Sequence, residues 1–427
     1  MKCSSATASR RKALKAFSVL AASASLAPFA EASVTTLSVA AFPAVDQILK
    51  AALPEFQKKF PHVRVEVIGR EFADHHTAMT TAIATGSKLP DVMALEAGFL
   101  GRFAISGALE VLSQPPFDAL QHEKLFVPFT FQQNRDAHGQ VVAMPTDIGV
   151  GALFYRQDVL SRAGIAPELL GKSWESYVEA GREVKKATGA YWVTHARDLK
   201  DIIIRSNLQP GEGIYFNEHK EVLVESARFV RAFELARTIR EQRLDARVQA
   251  WSAEWAESFK RGTVATHMMG SWFAGHLANW LAPQTRGLWR TSALPDAAHA
   301  PWGGTFYAIP RRAANKPLAW ELVRFMTLSP SLQLSAFKAH DAFPALLETH
   351  RDSYLDQPVA FLGGQAARAL WRDLALKTPA VPLHKLDALA EEIVNTELDK
   401  VLSGRKTTQR ALADASRMLG QRMRHSA

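Results

Sequence analysis

From residue 34 onward, apolar and polar positions follow two rhythms. Val34–Phe42 (VTTLSVAAF) reads as a strand, and Val63–Gly69 (VRVEVIG) changes character every second residue, as a strand with one buried face does. Between them, Val45–Phe60 repeats at helical spacing and is closed by Pro61. The pattern predicts a second helix over about 74 to 84, stopping at Gly86, then a strand at Asp91–Leu95 and a helix running to Gly107. Strands alternating with helices of about a dozen residues predict βαβ units on a parallel sheet, and so an α/β fold. Ligands of such sheets gather beyond the carboxyl ends of the strands. That rule puts Phe42, Phe72 and Glu96 on ligand-facing loops, with a core position as the alternative for Phe42 and Phe72.

The middle of the chain, about 152 to 300, is patterned as helix. Phe229, Val230, Phe233, Ala236 and Ile239 share one face. Near the end, Leu386, Leu389 and Ile393 start another face, and Ser403-Gly404 closes that helix. Thr408 is placed to cap a last helix carrying Leu412. One stretch breaks the rhythm. The apolar run Val264–Met269 ends at Gly270-Ser271, and Trp272 follows at the break. All ten tryptophans lie between 174 and 371, so the two halves of the chain are built differently.

Composition narrows the class. The 427 residues exceed one ordinary core and predict two domains or lobes. A hydrophobic fraction of 47% with 22% charged residues is that of a soluble globular protein. The single cysteine, Cys3, excludes an internal disulfide. Residues 1–32 read as an export signal: a basic stretch with Arg10-Arg11, an apolar run over 16–30, and the small-x-small site Ala30-Glu31-Ala32. The arginine pair, with Leu14 and Lys15, is similar to a twin-arginine signal, although Ala13 stands where Phe is usual; Sec export is the alternative. Removing this segment takes five basic residues and one acid from totals of 51 and 42, leaving a net charge of +5. With no long Lys/Arg block, nucleic acid is not an expected partner. No later stretch has the roughly 18 consecutive apolar residues of a membrane span.

Several chemistries are not written here. The stretch Gly164–Ser173 has six residues between its glycines where a phosphate loop has four, and Ser173 reads as a helix cap instead. His75-His76 lacks the spacing of a zinc pair on a helix, and no HExxH or G-x-S-x-G occurs. No metal or cofactor is expected.

Taken in order, the segments resemble the bacterial extracellular solute-binding proteins of ABC importers, family 1, of the maltose-binding-protein type. The resemblance runs over about 34 to 420. It is carried by LPEFQKKFPHVRVEV, TTAIATGSKLPDVMAL, MPTDIGVGALFYRQDVLSRAGI, SWESYVEAGREVKKATG, FKRGTVATHMMGSW, WGGTFYAIP, AWELVRFMTLSPSLQLSAF and AFPALLETHRD. It implies a two-lobe periplasmic-binding-protein fold (type II), with a hinge and a ligand cleft between the lobes. Lobe one is expected over 33–146 and 300–329, lobe two over 147–299 and 330–427. The implied protein is a periplasmic, monomeric, non-catalytic binder that delivers a sugar to ABC permease subunits in the inner membrane. A polyol, sugar phosphate or other small anion is the alternative ligand, and a secreted glycan hydrolase the alternative activity. Trp272 matches the family's cleft tryptophan. Its face suits the C–H face of a sugar with the indole N–H left free to bond, or it is a core residue. Trp302, Gly303 and Gly304 open the returning segment, where glycines let backbone approach a ligand or simply turn. Asp147 in the first crossing is a carboxylate for two sugar hydroxyls, or a cap or hinge bond. Glu96 stands where the family often has a ligand contact. Asp198, in THARDLKDI, stands where the family has lobe-two contacts, or lies on a solvated helix face.

Overall fold

The computed structural model describes residues 34–426; the expected export segment lies outside the described residues. The first half follows the predicted rhythm closely. It runs β1 (Thr35–Ala41), α1 (Val45–Lys59), β2 (Val63–Gly69), α2 (Phe72–Thr85), β3 (Val92–Glu96) and α3 (Ala97–Ile105). Then come α4 (Pro128–Gln133) and a 14-residue strand, β4 (Ala143–Arg156). The helical middle holds α5 (Gln157–Ala163), α6 (Glu168–Lys172), α7 (Trp174–Thr188), α8 (Arg197–Ile203), α9 (Ala227–Glu241) and α10 (Ala253–Arg261). After it come β5 (Thr266–Gly270), α11 (Phe273–His276), β6 (Trp289–Ser292) and β7 (Pro301–Ala308). The chain ends in α12 (Lys316–Leu328), α13 (Pro330–His340), α14 (Ala367–Ala375), α15 (Asp387–Leu402) and α16 (Thr408–Ser426).

The strands join in the order β2-β1-β3-β7-β4-β5, with β6 also on β4. β1 pairs parallel with β2 and β3, as the βαβ pattern predicts. Every other pairing is antiparallel, so the sheet is mixed. The reason lies in the chain's path. β4 carries it out of the first half and β7 carries it back alongside, and two neighbouring strands running opposite ways must pair antiparallel. β4 is long enough to serve both halves. Its first residues pair with β7, and Gly151–Arg156 pair with β5 and β6.

Local rules explain some element ends. Ser173 caps α7 in a reciprocal pair with Ser176, each hydroxyl accepting the other's backbone N–H. The last helix does begin at Thr408, but it is the Thr407 hydroxyl that accepts the Arg410 N–H. The α9 face is buried as expected at Phe229, Phe233, Ala236 and Ile239. The α15 face is turned by one residue, burying Ala390, Val394, Leu398 and Val401 while Leu389 and Ile393 are half-buried. Its partners are α16 and α9, whose contacts set the rotation.

One apolar cluster holds β1, α1, β4, β7, α12 and the 343–375 segment together with Trp255, Phe259 and Trp289. A second joins α7, α8, α9, α15 and α16 under the far end of β4. A third lies beneath α3, on the other face of β3 and β7. α13 touches α1, and the backbone of Ala345 accepts the Val127 N–H.

Candidate binding cleft

Trp272 stands at a chain break because three glycines clear a shelf for its indole. A methyl group at Gly270 would lie 2.3 Å from Trp272 Nε1, one at Gly149 3.0 Å away, and one at Gly303 3.3 Å away. These glycines sit on β5, β4 and β7, so three strands contribute bare backbone to one spot. The approach of β4 to β7 is close as well. A Cβ at Gly149 would lie 1.7 Å from the Trp302 carbonyl oxygen, which only glycine permits. Gly303 and Gly304 have φ of +85° and +118°, conformations that favour glycine. The register between β4 and β7 slips twice here, between Pro145 and Asp147 and again between Ile148 and Val150.

The shelf fixes the indole by one directional bond. Trp272 Nε1–H donates to the Trp302 carbonyl at 3.0 Å. The sequence suggested an N–H left free for a ligand; the structure occupies it internally, because the returning segment passes within bonding distance. What remains available is the ring face, which is half-buried. Beside it lie His276, 5.0 Å away, and Trp251, whose ring is nearly parallel at 6.2 Å.

Glu96 closes one side of the shelf, with Oε1 3.4 Å from the Cβ position of Gly303. It ends β3 and caps α3, Oε2 accepting the Gly98 N–H at 2.8 Å. Burial pushes its carboxyl up to about 7, against the opposing pull of the Gly98 N–H and Arg205. Asp147 follows on β4 opposite Thr305, and burial raises its carboxyl to about 6 against the Thr305 hydroxyl. Carboxyls raised by burial gain a protonated form that can donate as well as accept, which suits hydroxyl-rich ligands.

The second half supplies the facing wall. Arg205, just past α8, lies over the Trp302 ring at 5.0 Å and donates to the Asp201 carbonyl at 2.8 Å. Trp302, expected as a ligand contact, therefore has one face covered by a guanidinium. Lys200 is fully buried and paired with Asp201. At the start of α15, Asp387 accepts the His384 N–H at 2.7 Å, and burial pushes its carboxyl up to about 7. Leu383 reaches the first half: its Cβ is 3.0 Å from the Cβ position of Gly101 on α3. The structure is thus one in which α3 and the segment leading into α15 touch across the cleft.

Glu96, Asp147, Trp272, Trp302, Gly303 and Gly304 are therefore brought together. Phe42 and Phe72 lie to one side, in an aromatic box with His75 and His76. The box touches the cleft through His76, whose Nε2 accepts the Glu96 backbone N–H at 3.2 Å. Phe72 is 42% exposed and is the first residue of α2, not a loop residue, because the helix starts two positions earlier than the pattern predicts. Asp198 belongs to another network. It accepts the Thr194 hydroxyl at 2.5 Å and the His195 N–H at 3.0 Å, and it lies 3.8 Å from buried His267. It tethers the start of α8 instead of lying on a solvated face. Nothing in the sequence pattern marks Arg205 or Trp251. Both sit in irregular segments whose place depends on tertiary packing.

Comparison with known proteins adds an independent line. The family model described as "Bacterial extracellular solute-binding protein" matches residues 51–360. A lactose-binding protein of Rhizobium radiobacter is 27% identical over 353 residues, covering 78% of this chain and 80% of the relative. An arabinooligosaccharide-binding protein of Bacillus subtilis (strain 168) is 20% identical, covering 88% and 90%. Among solved structures, an extracellular solute-binding protein of family 1 superposes with a TM-score of 0.79 at 20% identity, over 91% of this chain and 99% of that one.

Proposed function

Because the chain belongs to the bacterial extracellular solute-binding proteins and has their two-lobe α/β fold, we propose that it is the periplasmic sugar-binding component of an ABC importer. It takes a sugar or oligosaccharide between its lobes and hands it to the membrane permease. The observation that carries this reading is the Trp272 shelf with Glu96 and Asp147 at its edge. An indole face flanked by carboxyls matches a ring with apolar C–H faces and a hydroxyl rim. The relatives named for lactose and arabinooligosaccharide support a saccharide. The lobes are proposed as 33–146 with 300–329 and 147–299 with 330–427, β4 and β7 being the strands that cross. The role is binding without turnover, as a monomer, after export through the signal at 1–32.

The test is a titration of the mature protein with lactose, arabinotriose, maltotriose and cellotriose, followed by intrinsic fluorescence and calorimetry with product analysis alongside. Saturable binding with the sugar recovered intact is expected. Cleavage of any of the four would replace the binding role with a hydrolytic one.

A further inference from the structure

Trp251 is an exposed tryptophan with no structural reason to be exposed. It is 57% accessible, and its backbone φ is +68°, a region bulky residues rarely occupy. Such an outlier persists only where its surroundings hold it. They do so on both sides: the Val248 N–H bonds the Thr194 carbonyl at 3.0 Å, and the Ser252 hydroxyl caps α10 through the Trp255 N–H at 3.1 Å. The indole rests on buried Trp255 at 4.9 Å and meets His276 edge-on at 6.0 Å, and the residue still stays largely exposed. Its plane lies 17° from that of Trp272, with ring centroids 6.2 Å apart. Near-parallel rings at that separation are slid past one another, so part of the outer face of Trp272 stays open.

We infer that Trp251 is the movable second plate of an aromatic clamp whose fixed plate is Trp272, and that one sugar ring of the ligand enters between them. The inference rests on the sugar-binding reading above and deepens it. The two plates differ in freedom. Trp272 is pinned by its bond to Trp302 and by the glycine shelf, whereas Trp251 has solvent to move into. A ring held between two plates needs roughly 7 to 8 Å, two ordinary carbon contacts of about 3.5 to 4 Å. Trp251 would therefore swing outward to admit the ring and then cover it. A ring gripped on both faces must present C–H groups on both. Pyranoses with equatorial hydroxyls do; an axial hydroxyl sets an oxygen against one plate, where it loses its hydrogen bonds to water. The expected ligand class is a saccharide containing at least one glucose- or xylose-configured pyranose.

The experiment compares full-length mature wild type with Trp251→Ala, Trp251→Phe and Trp280→Ala, using the same four sugars. Trp280 is 53% exposed and lies beyond His276, which makes it the control for an exposed indole outside the clamp. Trp251→Ala is expected to weaken the tightest of the four about ten- to hundredfold. Trp251→Phe should keep most of the affinity, and Trp280→Ala should leave it unchanged. The melting temperature of the free protein should barely move in Trp251→Ala. Acrylamide should quench one exposed tryptophan less when sugar is bound to wild type, and that protection should be missing in Trp251→Phe. Unchanged affinity in Trp251→Ala overturns the clamp and leaves sugar binding standing. Arabinotriose binding more tightly than both cellotriose and maltotriose overturns the two-faced grip. Failure of wild type to bind any of the four overturns the sugar reading, and the clamp with it.

Discussion

At the scale of single residues, the cleft is made by what is missing as much as by what is present. Trp272 has a face to offer only because Gly149, Gly270 and Gly303 carry no side chain. Trp272→Ala is expected to weaken sugar binding by on the order of 1 to 3 kcal/mol, about ten- to a hundredfold, with Trp272→Phe intermediate. The free protein should lose only about 1 kcal/mol from the lost bond to Trp302, read as a small fall in melting temperature. Gly149→Ala should behave in the opposite way. Its methyl would sit 1.7 Å from a backbone oxygen, so the strands must part, and a large drop in melting temperature is expected. If Trp272→Ala instead melts far below wild type with its affinity intact, the indole is core and not cleft. Trp272 was legible because an apolar run broke at Gly-Ser immediately before it. Trp302 was only half legible: its glycine neighbours marked the turn, but nothing in the sequence told that Arg205, nearly a hundred positions away, would cover its ring.

At the scale of elements, the contact between α3 and α15 lies beside buried carboxyls held above their usual range. Glu96 has Asp147 on its own side and Arg205 and Glu391 across the cleft, and the same Arg205 and Glu391 act on Asp387. Burial holds Glu96 and Asp387 up to about 7 and Asp147 up to about 6, from ordinary values near 4. A raised carboxyl binds its proton more tightly in this arrangement than in water. Its contribution to closure is fully present below about pH 4 and is lost as pH rises through 6 to 7. The lobes should therefore open on passing from pH 5 to pH 8 without ligand, seen as a larger radius of gyration in small-angle scattering. A constant radius, or a smaller one at pH 8, would show that Arg205 and Lys200 outweigh the burial cost. The βαβ rhythm made β1 to α3 readable almost residue by residue. The antiparallel return through β7 was not readable, since strand direction is set by where the chain must come back, not by local alternation.

At the scale of the whole molecule, the proposed export signal and the first strand lie close together in the chain. The described residues begin at Val34, and β1 is already paired at Thr35, opposite Val63. The expected signal ends at Ala32. Replacing Arg10 and Arg11 with lysine should leave precursor in the cytoplasm, detected by fractionation and blotting. Normal amounts of mature protein outside the cytoplasm would point to the Sec route. The two-lobe plan itself was legible from length and segment order. The way α13 returns to touch α1 was not, because that contact joins residues nearly three hundred positions apart.

The slipped register between β4 and β7 has a further consequence, for how such a protein diversifies. The two irregular steps fall at Pro145–Asp147 and Ile148–Val150, in the strand that runs on from one half into the other. Those residues also hold up the indole. A change there made to suit a new ligand would alter the joint, and one made to retune the joint would disturb the shelf. Drift toward new ligands is therefore channelled to side chains that hang over the cleft from loops, such as Arg205 and Trp251. Among relatives of known ligand, glycine should be kept at positions matching 149 and 270, while those matching 205 and 251 change with the sugar.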